Sequence, residues 1–286
     1  MDKLIVCGGT GFLGRAICKA AIQRNSANVV ASVSRRGTPP ASEGTGSWAY
    51  DDRMEWISSV ASSFETVVRE APERVDAVVC SVGALLENEN YKQVLERAEN
   101  VSPFIGRGSE ASYTALNRDV CIRAIDDVEK YCVSAGEPTD AAKRIPFVFI
   151  SAHAAPPGVD MEYIRSKREA EEYLLGKSDV FRPIIFRPSF MYGESRPSSM
   201  HIAMGLKTAN AGGKFLKTFL SNSPVPGLVN SILQASGGDV NLDFVKAPPL
   251  HTGQVAQAVL NAVEDNTVEG IFDPMATLQM AGRART

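Results

Sequence analysis

Tyr163 and Lys167 bracket the stretch Tyr163-Ile164-Arg165-Ser166-Lys167, four residues apart. On a helix that spacing sets both side chains on one face, one turn apart. A phenol, with an ordinary pKa of about 10, is a poor acid or base at neutral pH. An ammonium beside it favours the phenolate and makes proton transfer practicable. Ser151 ends the apolar run Phe147–Ser151, where a hydroxyl would be placed to hold a carbonyl oxygen. Together the three suit proton transfer at a carbonyl or alcohol. The same spacing also describes a solvated pair on a charged helix, beside Glu169 and Glu171.

Such chemistry needs a partner to take or give electrons, and the N-terminus carries a place for one. The apolar run Leu4–Cys7 reads as a buried strand and the periodic stretch Arg15–Ile22 as a helix. Between them lies Gly8-Gly9-Thr10-Gly11-Phe12-Leu13-Gly14. A strand that turns through glycines onto a helix N-terminus makes an anion site, because backbone N–H groups and the helix dipole face outward. Gly8 permits the tight turn, Gly11 the approach of a pyrophosphate, and Gly14 close packing of helix on strand. The strand Val29–Val33 then runs into Ser34-Arg35-Arg36-Gly37, with no acid from Asn28 to Ser42. An acid there would accept a ribose 2′-hydroxyl, as NAD requires. Two guanidiniums suit the 2′-phosphate of NADP. NADP is therefore favoured over NAD, the other reading being that Arg35 and Arg36 are solvated loop charges.

The elements that must position these groups follow from apolar periodicity. Strands are expected near Leu4–Cys7, Val29–Val33, Ala77–Ser81, Phe147–Ser151 and Ile184–Arg187, with a weak one near Met54–Ile57. Helices are expected around Arg15–Arg24, Phe64–Glu70, Tyr113–Val133, Met161–Leu175 and Thr252–Val263. Alternating strand and helix argues an α/β, Rossmann-type doubly wound parallel sheet. After Arg187 the alternation stops. Residues 1–186 are read as the nucleotide domain, and 187–286 as a small C-terminal substrate lobe partly returning to it.

The 286 residues are 44% hydrophobic with a formal net charge of −3, which gives no electrostatic footprint for nucleic acid. No apolar stretch is long enough to span a bilayer. No N-terminal signal or Arg-rich transit peptide is expected, because the first strand starts at Leu4. The five cysteines lack C-x-x-C spacing and read as buried hydrophobes, with no metal set among them.

Taken together, these residues resemble the extended and atypical branch of the short-chain dehydrogenase/reductase superfamily, over Leu4 to about Asp273. The glycine loop has that branch's G-G-T-G-F-L-G form. The resemblance implies that Ser81-Val82-Gly83 passes beside the cofactor ribose and that Asn117 supports the lysine. It further implies that Ser151, Tyr163 and Lys167 form the catalytic trio. Arg187-Pro188-Ser189-Phe190-Met191-Tyr192-Gly193 matches the run after the sixth strand, so Pro188 and Ser189 join the cofactor set. Within the branch the chain is similar to mitochondrial members, among them fungal coenzyme Q biosynthesis accessory proteins and a dehydrogenase-like accessory subunit of respiratory complex I. That implies a matrix location peripheral to the inner membrane, a multiprotein partner and a small quinone-like substrate. The alternative address is the cytoplasm. The branch usually has an aspartate after the third strand that contacts adenine; Trp56 to Ser63 contains no acid.

Two functions stay open at this stage: an NADP-dependent oxidoreductase, and a non-catalytic nucleotide-binding accessory protein. Weaker signals are His153, a possible substrate contact, and His251, read as structural with Thr252 as helix cap. Lys207, Lys214 and Lys217 share a face that suits an anionic membrane or a mobile lid. The tail from Met275 to Thr286 shows no pattern.

Overall fold

The computed structural model describes residues 1–58, 67, 74–83, 114–134, 144–156, 159–197, 199–200, 203–204 and 242–283. The chain begins β1 (Lys3–Cys7), α1 (Phe12–Arg24), β2 (Val29–Ser34), a 3₁₀ turn (Trp48–Tyr50), β3 (Met54–Ser58) and β4 (Val75–Cys80). A π-helical turn (Thr114–Asp119) leads into α2 (Val120–Ser134), β5 (Ile145–Ile150), α3 (Glu162–Leu175) and β6 (Phe181–Phe186). The remainder holds β7 (Met191–Tyr192), α4 (Leu242–Lys246), β8 (Leu250–His251), α5 (Thr252–Glu264), β9 (Gly270–Phe272) and α6 (Pro274–Ala281).

Seven strands form one parallel sheet in the order β3-β2-β1-β4-β5-β6-β9. The strands β1, β5 and β6 are buried along their whole length, as a sheet covered on both faces requires. Alternation divides the core. Leu4, Val6, Val30, Val79, Val148 and Ile184 face α1 and α5. Ile5, Cys7, Val33, Val78, Cys80, Phe147 and Phe149 face α2 and α3. The chain order reverses between β1 and β4, which opens a crevice at their carboxyl ends. In the register Cys7 pairs with both Val33 and Cys80. Gly8, Ser34 and Ser81 therefore leave the sheet side by side at that crevice.

Several expectations need correction in detail. β4, β5 and β6 start earlier than the apolar runs suggested, and Ser151 lies just past its strand. The short strand β9 was not foreseen. It pairs Phe272 with Phe186 and so returns the chain to the sheet edge. Its approach is fixed by Arg182 of β6, buried, which donates to the carbonyls of Ala262, Val263, Asp265 and Val268 at the end of α5 and the turn beyond. Those helix-end carbonyls otherwise have no partner within the helix. The tail is not patternless through its first residues. Asp273 caps α6 through the Ala276 N–H at 2.8 Å, with Pro274 at the first helical position. The cap of α5 is His251, not Thr252: its Nδ1 accepts from the Gly253 N–H at 3.1 Å, and Gln254 returns the bond to His251.

The helix expected over Phe64–Glu70, apart from Val67, lies outside the described residues. So do Tyr113, most of 136–144 and Lys207, Lys214 and Lys217. Among the described residues no helix is long and apolar enough to cross a membrane. All five cysteines are buried, and none is in a disulfide.

Candidate functional site

The geometry of the glycine loop suits an anion. Gly8 has φ +85°, a left-handed conformation that favours glycine. A Cβ on Gly14 would overlap the Gly8 carbonyl and Ser81 Oγ, so the close packing of α1 on the sheet depends on that glycine. Gly11 caps α1 without a side chain, and the first helical turn holds no acid. A phosphate would therefore meet the helix N-terminus with no competing carboxylate. A Cβ on Gly11 would come 2.9 Å from the Gly8 carbonyl oxygen. The loop thus fits the pyrophosphate of a dinucleotide, with Gly9, Thr10, Phe12 and Leu13 completing it.

Beside it, Ser34 ends β2 and its Oγ accepts from the Gly37 N–H at 3.2 Å. That bond closes a tight turn in which Gly37 has φ +59°. Arg35 and Arg36 ride on this turn and are exposed. The turn is tied to β3 by the Ser58 hydroxyl, which donates to the Arg35 carbonyl at 3.2 Å. Two cations consequently stand at the end of the strand next to the glycine loop, and no carboxylate stands in the turn.

On the other side of the crevice the predicted residues come together. Asn117 is fully buried on the π-helical turn, a distortion that recurs at functional sites. A Cβ on Gly83 would lie 2.9 Å from Asn117 Oδ1 and 3.1 Å from Lys167 Nζ. Gly83, Asn117 and Lys167 thus meet just beyond β4, past Ser81, whose hydroxyl donates to the Cys7 carbonyl at 2.8 Å. Lys167 Nζ donates to the Ile150 carbonyl at 3.0 Å and sits 5.9 Å from the centre of the Tyr163 ring. Tyr163 and Lys167 are both buried, so they are not a solvated pair. Tyr163 packs on Ala152 and Ala155.

Burial lowers the Lys167 pKa to about 8, with Cys80, Cys121 and Glu171 opposing the shift. The folded chain therefore holds this proton less tightly than the unfolded chain, whose lysine titrates near 10.5. Between these values the unfolded state binds more protons, so stability rises with pH across that window. Below it both states are protonated, and the cost of the buried charge is constant. Denaturant titrations should show wild type gaining on Lys167→Met as pH rises from about 8 to 10.5. A pH-independent difference between the two would contradict the burial of this charge.

Ser151 is buried, and its hydroxyl accepts from Arg168 Nη1 at 3.0 Å. Its own O–H proton remains available to donate. Sequence reading missed this arginine. Arg168 also donates to the carbonyls of Ala152 and His153, at 2.8 and 3.2 Å. Its charge is balanced by Glu171, which Arg187 grips from the other side. The i,i+3 spacing of Arg168 and Glu171 was the available signal. Pro188 accepts from the His153 N–H at 2.9 Å, and the Ser189 hydroxyl donates to the Pro248 carbonyl. The Ser189 side chain is thus directed at the chain, not at the crevice. Val82 packs against the core between Ser81 and Gly83. Among the described residues no cluster of His, Cys, Asp or Glu could hold a metal ion.

This arrangement is that of a Rossmann-type α/β protein with the fold of short-chain dehydrogenases and nucleotide-sugar epimerases. UDP-glucuronic acid 4-epimerase from Bacillus cereus, solved with NAD, superposes with a TM-score of 0.55 at 14% identity, over 95% of this chain and 76% of that one. A short-chain dehydrogenase from Streptomyces avermitilis gives 0.54 at 15%, over 97% and 90%. At such identities the likeness is one of fold. No family model matches the chain. Among curated proteins, MIOREX complex component 2 of Saccharomyces cerevisiae is 32% identical over 95% of this chain and 96% of its own length. The chain belongs to the family of that protein. An uncharacterised chloroplastic protein of Arabidopsis thaliana is 29% identical over 99% of this chain and 79% of its own length.

Proposed function

We propose that the chain binds NADP and acts as an oxidoreductase of the short-chain dehydrogenase type, in or near coenzyme Q biosynthesis. The observation that carries this reading is the buried Lys167. It lies one helical turn from Tyr163 and beside Asn117 and Gly83, across the crevice from a glycine loop shaped for pyrophosphate. The cofactor, when bound, supplies or accepts the hydride. Tyr163 exchanges a proton with the substrate oxygen, and Lys167 lowers the cost of the phenolate and anchors the ribose. Ser151, held by Arg168, donates its proton to the substrate carbonyl. Arg35 and Arg36 take the 2′-phosphate. Residues 1–186 form the nucleotide domain, and 187–286 form a small lobe that partly returns to it through α5, β9 and α6. The address is the matrix face of the mitochondrial inner membrane.

One observation favours a second reading. The yeast relative is named as a component of a complex. In that reading the chain binds nucleotide as an accessory protein that stabilises or regulates a quinone-synthesis or respiratory assembly. Both readings need the glycine loop, but only the first needs the phenol.

Tyr163→Phe removes one acidic hydroxyl. Under the first reading it abolishes quinone production in cells that depend on this protein while leaving NADPH affinity nearly unchanged. Normal quinone levels in Tyr163→Phe, with failure only of glycine-loop variants, would establish the accessory reading instead. The paired change Arg35→Ala, Arg36→Ala should weaken NADPH by about tenfold or more and leave NADH unaltered. Equal losses for both nucleotides would remove the 2′-phosphate assignment.

A further inference from the structure

Arg196 belongs to the segment after β7, yet its guanidinium lies over the glycine loop, with its carbon 4.5 Å from the centre of the Phe12 ring. Phe12 is the first residue of α1. The turn that carries Arg196 is fixed from three directions. The Arg196 N–H donates to the Gly193 carbonyl at 3.0 Å. The Gly193 N–H donates to Ser199 Oγ at 3.2 Å. Gly193 itself lies so close to the start of α5 that a Cβ there would overlap the Thr252 hydroxyl. Arg196 is exposed, and the face of its guanidinium covers the ring.

The loop from Gly8 to Gly14 contains no cation. It offers a pyrophosphate backbone N–H groups and a helix dipole from one side only. A guanidinium stacked on Phe12 supplies a full positive charge and a planar fork that matches phosphate oxygens. The ring fixes the fork before any ligand arrives, which lowers the ordering cost of binding. We propose that Arg196 clamps the pyrophosphate of the bound dinucleotide against the glycine loop, with Phe12 as its platform. This rests on the reading that the loop binds a dinucleotide.

The test is equilibrium titration of NADPH, NADH and ADP-ribose, which share only the ADP-ribose portion, into wild type, Arg196→Ala, Arg196→Lys and Phe12→Leu. Arg196→Ala should weaken all three by about tenfold and to the same degree, since each presents the same pyrophosphate. Arg196→Lys keeps the charge without the fork and should recover part of the loss. Phe12→Leu keeps the arginine without its platform and should weaken all three by about threefold. Unchanged affinities in Arg196→Ala would overturn the clamp, and so would a loss confined to NADPH, which would place the arginine at the 2′-phosphate. Should Arg196→Ala not fold, unchanged binding in both of the other variants would overturn it equally. Failure of wild type to bind any of the three would remove the dinucleotide reading and the clamp with it. Normal wild-type binding beside an unaffected Arg196→Ala would remove the clamp alone.

Discussion

Gly11→Val is expected to cut dinucleotide affinity by at least about 100-fold while the chain remains folded. Gly11 sits at φ −74°, ψ 176°, extended backbone that a β-branched residue adopts without strain. Its Cβ would press on one atom, the Gly8 carbonyl oxygen at 2.9 Å, so the loop backbone must shift to accept it, at a cost in stability but with no second clash. The branches of the valine would then fill the space through which a pyrophosphate reaches the N–H groups of α1. Several charge-assisted hydrogen bonds would be lost together. Gly14 behaves differently. A side chain there meets the backbone of Gly8 and also Ser81, so Gly14→Val would separate α1 from the sheet and unfold the site. Circular dichroism and a thermal melt check the fold of Gly11→Val, and calorimetry its affinity. A folded Gly11→Val that binds within about threefold of wild type would show that the phosphate site lies elsewhere.

Glu171→Ala is expected to cost about 3 kcal/mol of stability and to loosen the substrate side of the crevice. The Glu171 side chain is 3% exposed and is held between Arg168 and Arg187. Arg187 Nε donates to both carboxylate oxygens, at 3.0 and 3.1 Å. Removing the carboxylate leaves two guanidiniums facing each other with no counter-charge. Each keeps over a quarter of its side chain in solvent, which sets the cost at the low end for a broken buried pair. The consequence reaches the site because Arg168 also fixes Ser151 and the Ala152 and His153 carbonyls. Glu171→Gln keeps the shape and one acceptor oxygen and should recover part of the loss. Denaturant unfolding measures both variants. A change within about 1 kcal/mol in Glu171→Ala would mean that the arginines find other partners.

What the sequence made legible was local. The glycine loop could be read because strand, glycines and helix are contiguous, so their roles follow from spacing alone. The same holds for Tyr163 and Lys167, which the helix α3 brings to one face. The fully buried strand β5 announced itself as a continuous apolar run, whereas β6 did so only from Ile184, because Arg182 interrupts it. β9 did not, because three residues beginning with Gly270 carry no periodicity, and its place in the sheet is set by Arg182 and by pairing with Phe186. The start of α6 is encoded locally, since Asp273-Pro274 is a helix start signal. The capping role falls to His251 and not to its neighbour Thr252, which spacing does not reveal because imidazole is an uncommon cap. The Arg187–Glu171–Arg168 group combines one legible i,i+3 pair with a partner from another element. The placing of Arg196 over Phe12 depends wholly on how the segment after β7 folds back, and no spacing encodes it.

Under the proposed function, the crevice between the glycine loop and Lys167 holds a nicotinamide dinucleotide. Calorimetric titration of the nucleotide-free wild-type chain with NADPH, and separately with NADH, tests it most directly. The expected result is saturable binding of one dinucleotide per chain, with NADPH bound more tightly than NADH. No saturable binding of either nucleotide by the folded chain would contradict it.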